Sequence, residues 1–114
     1  MEVNSQAALS GTVVNAKATG GRLQGVEASN GGLVSTFIQF FEVPAAEVTL
    51  GTTVPKMSLV VPKGSSPTDV GAMDKDFGEG IDFQKAIAVA ATTTPAGATG
   101  AVVGLRANFF FQER

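Results

Sequence analysis

The chain has 114 residues and a net charge of −2; 44% of the residues are hydrophobic and only 16% charged, against about 25% charged in an average soluble domain. That is material for one core, and it is too apolar for a disordered chain. There is no His, Cys, Trp or Tyr, which excludes imidazole and thiolate catalysis, zinc sites built on those ligands and disulfide bonds, and the eight Lys and Arg are too scattered to form a nucleic-acid-binding stripe.

The hydrophobic period is mostly two, in short runs broken by Gly, Pro, Asn and Ser, so the sequence predicts an all-β antiparallel sandwich of about eight short strands. Residues 1–8 read as a polar N-terminal arm that orders on a neighbour, and residues 9–114 as a single β-sandwich domain. Leu9 to Lys17 is the first predicted strand, and Gly20-Gly21 turns it into Arg22 to Ser29. Asn30-Gly31-Gly32 is the strongest turn signal, because Asn and Gly accept positive φ. Val34 to Phe41 follows; Pro44 to Glu47 reads as a loop or one helical turn, and Val48 to Leu50 as a brief extended piece. Lys56 to Val61 ends at Pro62, which cannot donate to a ladder, and Lys63 to Pro67 is a loop. Lys75 to Phe83 is a strand interrupted by Gly78 and Gly80, a pattern expected of a bulge. Lys85 to Thr92 alternates, with Ile87 and Val89 on one face and alanines on the other, which favours strand over helix despite the alanines. Val102 to Gln112 closes the chain. The uncharged stretch Ala86 to Leu105 has the length of a membrane span, but its three Thr, Pro95 and Gly97 mark a turn between strands instead.

No residue stands out as catalytic, and no cofactor is called for. The elbow, phosphate-loop and dinucleotide fingerprints are missing; Lys63-Gly64-Ser65-Ser66 has its Lys on the wrong side of the Gly and no helix after it. Asp74, Asp76 and Glu79 are the one local cluster with oxygen ligands for a hard cation, but the twelfth position counted from Asp74 is Lys85 and not Glu, so solvated loop charges are the ordinary reading. More informative are Phe109-Phe110-Phe111 and Phe40-Phe41. Adjacent rings fall on opposite faces of a strand, so one face meets the core and the other needs cover, from a loop, a sheet edge or a neighbouring molecule. These five Phe are the candidate protein interface.

The segments Phe37 to Phe41, Val48-Thr-Leu-Gly-Thr-Thr-Val-Pro55, Ser58 to Pro62, Phe77-Gly-Glu-Gly-Ile81 and Ala88 to Thr94 together resemble small structural virion proteins of tailed bacteriophages, over roughly residues 20 to 112. The resemblance implies a jelly-roll-like β-sandwich and a non-enzymatic role as a capsid cement or decoration protein on the virion surface. Its partners would be the major capsid protein and further copies of itself, as a dimer or trimer, with neither nucleic acid nor membrane. A neck, tail or baseplate component of the same fold is the alternative within that family. A ligand-binding or enzymatic β domain using the Asp74 to Glu79 loop is the alternative of another class.

Overall fold

The computed structural model describes residues 1–66 and 68–113; Pro67, placed in the Lys63 to Pro67 loop, and Arg114, the end of the predicted domain, lie outside the described residues. Among the described residues eight strands form, in chain order: β1 Glu2–Leu9, β2 Val14–Lys17, β3 Gly21–Asn30, β4 Thr36–Phe41, β5 Met57–Val61, β6 Gly71–Phe83, β7 Ile87–Thr92 and β8 Leu105–Gln112. They build two four-stranded antiparallel sheets, β1-β8-β3-β6 facing β2-β7-β4-β5. The predicted all-β antiparallel sandwich is what forms. Strands β1 with β8, β2 with β7, β3 with β6 and β4 with β5 pair as they would in one long hairpin rolled on itself.

The core lies between the sheets and is anchored by Phe40. Its ring meets Phe109 edge-on at 5.8 Å and Phe83 at 6.4 Å, both from the opposite sheet. Leu23, Val26, Ile38, Ile87, Val89 and Leu105 close around this contact with almost no exposure. In β3 the inward set changes parity, from Leu23 to Val26 and Ala28. A bulge causes this: Leu23 opposes Phe111 and Gly25 opposes Phe110, which leaves Gln24 as the extra residue. Against β6 the mismatch is larger, since Leu23 pairs with Ile81 but Gly25 with Asp76. Phe77 to Gly80 therefore swings out, with Gly78 at φ 63 and Gly80 at φ 105, left-handed values that Gly alone adopts freely. The predicted interruption of this strand is present, though the strand begins earlier, at Gly71.

Four readings change. Residues 1–8 are not a free arm: Glu2–Leu9 is β1, paired with β8 from Glu2 opposite Phe111 to Leu9 opposite Leu105. The single strand predicted over Leu9 to Lys17 is broken at Ser10 to Val13, so β1 and β2 fall in different sheets. Val48 to Leu50 is not extended pairing but leads into a turn in which Thr52 and Thr53 donate to the Thr49 carbonyl at 3.0 and 2.8 Å. Asn30-Gly31-Gly32 does turn, yet none of the three has positive φ. Asn30 acts through its buried side chain instead: Oδ1 accepts the Gly32 N–H at 2.8 Å, and Nδ2 donates to the carbonyls of Val34 at 2.8 Å and Val61 at 3.3 Å.

Candidate protein interface

Four of the five Phe read as an interface are buried within the chain itself. Phe40, Phe109 and Phe111 belong to the core, and Phe41, on the other face of β4, is 1% exposed. These rings are not available to a partner. The cover comes from the protein's own connections. The segment after β4 crosses β7 to reach β2, where the Ala45 N–H donates to Asn15 Oδ1 at 2.9 Å. The segment after β7 returns over β4 to β5, where Ser58 Oγ donates to the Pro95 carbonyl. Small residues, Ala88 and Ala90, on the outer face of β7 leave room for both crossings. Phe110 alone is half-exposed, on the open face of β8, with its ring against Gly25 of the adjacent strand.

Gln39 holds the second crossing. Fully buried, it donates from Nε2 to Thr92 Oγ1 at 2.8 Å and to the carbonyls of Gly97 at 2.9 Å and Thr94 at 3.3 Å, while its Oε1 has no hydrogen-bond partner among the described residues. Gln39→Leu removes the donor to Thr92 Oγ1 and to the Gly97 carbonyl, while the Thr94 carbonyl keeps the Thr92 hydroxyl at 2.7 Å, and it removes one orphaned oxygen. The expected net loss is about 1–2 kcal/mol in urea unfolding. Amide exchange should accelerate across residues 93–100 and stay unchanged in β3 and β8, which hydrogen-exchange mass spectrometry resolves.

Asp74, Asp76 and Glu79 are all exposed, and among the described residues no group of three or more carboxylates converges. Asp76 Oδ1 instead accepts the Gly78 N–H at 2.8 Å and shapes the excursion of β6. Nor does the Lys63 to Ser66 segment offer free amides in the manner of a phosphate loop, because the Gly64 N–H donates to the Gly32 carbonyl at 3.0 Å and the Ser65 N–H to the Asp69 carbonyl at 2.9 Å.

A surface that the sequence reading missed lies at one end of the sandwich. The β3–β4 connection and the segment before β8 present Leu33, Val34, Val102 and Val103, which are 61%, 59%, 87% and 46% exposed. They flank an apolar hollow of about 430 Å³ whose floor includes Asn30 and Thr36. The two loops touch: a Cβ built on Gly32 would lie 3.2 Å from Val103 Cβ. The Asn30 side chain and the Gly64 to Gly32 hydrogen bond hold the first loop in shape. The apolar side chains are thus carried on a fixed support, which lowers the entropy lost when a partner closes over them. A signal for this surface was present in the sequence: each apolar pair stands beside glycines, Gly31-Gly32 before Leu33 and Gly104 after Val103. Alternation alone assigned Val34 and Val102 to strands that begin later, at Thr36 and Leu105.

Comparison with protein-family models, curated proteins and solved structures returned no match.

Proposed function

We propose that this chain is a non-enzymatic structural protein that docks on another protein through the apolar end formed by Leu33, Val34, Val102 and Val103. The setting we propose is a virion, with the chain acting as a cement protein that binds across subunits of a bacteriophage capsid. The observation that carries the docking role is the fixed support beneath that end: a buried Asn30 holds the loop that bears Leu33 and Val34, and that loop touches Val103 at Gly32. The virion setting is supported by the resemblance of the turn and strand motifs between Phe37 and Thr94. The strand order β1-β8-β3-β6 and β2-β7-β4-β5 supports the jelly-roll reading, since it follows from rolling one long hairpin.

The magnitudes fit such a role. Full burial of a Val or Leu side chain contributes about 1.5–3 kcal/mol, so these four partly exposed ones offer on the order of 5 kcal/mol. Association alone costs an estimated 4–15 kcal/mol. One such contact is weak. A repeating shell that binds many copies, each favouring the assembled over the disassembled state, is stabilised by mass action.

Quantitative mass spectrometry of purified virions tests the setting. A copy number in the hundreds supports cement, about six to twelve copies supports the neck or tail, and absence from the particle refutes both. The docking surface is tested by Leu33→Asp with Val102→Asp. The thermal midpoint should move little, because both positions are exposed and such substitutions change stability by about 0.5 kcal/mol or less each. Occupancy on the particle should fall about tenfold or more, because each carboxylate would be buried without a partner.

A further inference from the structure

Four strands stand at the edges of the two sheets: β1 and β6 in one, β2 and β5 in the other. Free edges invite pairing with other chains, and proteins blunt them with charge, Pro, bulges or short length. Three of these edges are blunted. β6 carries Asp74, Lys75, Asp76 and Glu79 and swings out at Phe77 to Gly80. β5 has five residues, with Pro62 directly after it. β2 has four residues and ends in Lys17, whose Nζ is tied to Glu113 at 2.9 Å. β1 differs. It is eight residues long, contains no Pro, Lys or Arg, and bears one charge, Glu2, at its end. Its residues 2–8 are exposed or half-buried.

The segment fits a second copy of itself. Pairing of β1 with β8 is regular from Glu2 to Gln6 and shifts before Leu9, so five residues offer an undistorted edge. When two identical antiparallel strands pair about a two-fold axis normal to the sheet, each residue faces the same side as its partner. The axis must then pass midway between one residue and its own copy. For Glu2 to Gln6 the central position is Asn4. On the core-side face this register sets Asn4 opposite Asn4 of the second copy and the Glu2 carboxylate opposite the Gln6 amide, an acceptor facing a donor. Within one chain Gln6 Nε2 already donates to Asn4 Oδ1 at 2.8 Å, so the amides are aligned along that face. On the outer face Val3, which is 55% exposed, meets Ser5. No like charges meet: the two Glu2 side chains lie at opposite ends of the paired segment.

We propose that β1 is a homotypic pairing edge, through which two copies align Glu2–Gln6 antiparallel about Asn4 and join their four-stranded sheets into one of eight strands. This pairing does not depend on the capsid reading, because it concerns a different surface and a different partner.

The chain has no Cys, so single introduced thiols report the register cleanly. Directly opposed Cα atoms in an antiparallel pair are roughly 4.5–5.5 Å apart, within disulfide reach. Under mild oxidation the whole Asn4→Cys chain should cross-link to a dimer at least about ten times faster than Ala18→Cys, an exposed control position between β2 and β3. Mixing Val3→Cys with Ser5→Cys should give the mixed disulfide in preference to either self-linked product, a test that leaves Asn4 and its hydrogen bond intact. Sedimentation of the native chain should show a concentration-dependent dimer, weakened at least about fivefold in Asn4→Lys, which sets two cations opposite each other. Equal cross-linking of Asn4→Cys and Ala18→Cys, no preference for the mixed disulfide, or a native chain that sediments as a monomer at millimolar concentration would each overturn the proposal.

Discussion

Phe40→Ala should lose about 3–5 kcal/mol of stability, a large part of the roughly 5–15 kcal/mol that holds a domain of this kind together. The ring is fully buried and touches two aromatic residues of the opposite sheet, Phe83 at 6.4 Å and Phe109 at 5.8 Å. Its removal opens a hole between two sheets whose strands are fixed by cross-strand pairing on both sides: β4 is flanked by β5 and β7. Such a site relaxes poorly, so the cavity contribution adds to the lost transfer energy. At about 4 °C or more per kcal/mol, the thermal midpoint should fall by about 12 °C or more. Phe110→Ala supplies the contrast, since that ring is half-exposed on the outer face and should cost about 1 kcal/mol in the same urea titration.

Gly71→Ala should be as damaging, for a different reason. A Cβ at this position would lie 1.8 Å from the Pro62 carbonyl oxygen, 2.7 Å from its carbon and 2.8 Å from the Lys63 oxygen. All three are backbone atoms, so no side chain can turn aside. Nor can either segment withdraw without loss. Gly71 is the residue of β6 paired with Asn30, and the segment after Pro62 is held to the β3–β4 connection by the Gly64 to Gly32 hydrogen bond. We expect a loss of about 3 kcal/mol or more in urea unfolding, together with faster exchange at the Gly64 amide, which donates that bond. Gly31→Ala is the matched control: nothing lies within 4 Å of its Cβ position and its φ is not positive, so it should change stability by about 0.5 kcal/mol or less.

These contrasts show where the sequence was readable. Alternation found β4, β5, β7 and the body of β8 because their inward positions carry Ile38, Phe40, Val61, Ile87, Val89 and Phe109, residues whose burial sets the register. β1 escaped the same test. Its core-side positions are Glu2, Asn4 and Gln6, polar residues that an edge strand tolerates where they remain exposed or half-buried. β3 was found although its alternation reverses at Gln24, because a bulge restores the inward set two residues later. The start of β6 was missed because Gly71 and Ala72 carry no strand preference; the strand there follows from pairing with Ser29 and Asn30.

The two-sided aromatic strands were legible as a demand for cover, but not the identity of the cover. That answer depends on contacts distant in sequence, Ala45 with Asn15 and Ser58 with Pro95, which no local pattern encodes. Once the chain's own connections shelter Phe41, the surface that still needs shelter moves to the end of the sandwich, at Leu33, Val34, Val102 and Val103. The aromatic residues thus serve the core, and the exposed apolar end carries smaller aliphatic side chains, the ones through which we propose docking.

Hydrogen exchange of the protein free and bound to purified virions measures that surface directly. The proposed docking role predicts slowed exchange on the particle at residues 31–35 and 101–104, with the excursion at Phe77 to Gly80 unchanged. Unaltered exchange at both of those end segments, with protection confined to the Asp74 to Glu79 region, would contradict it.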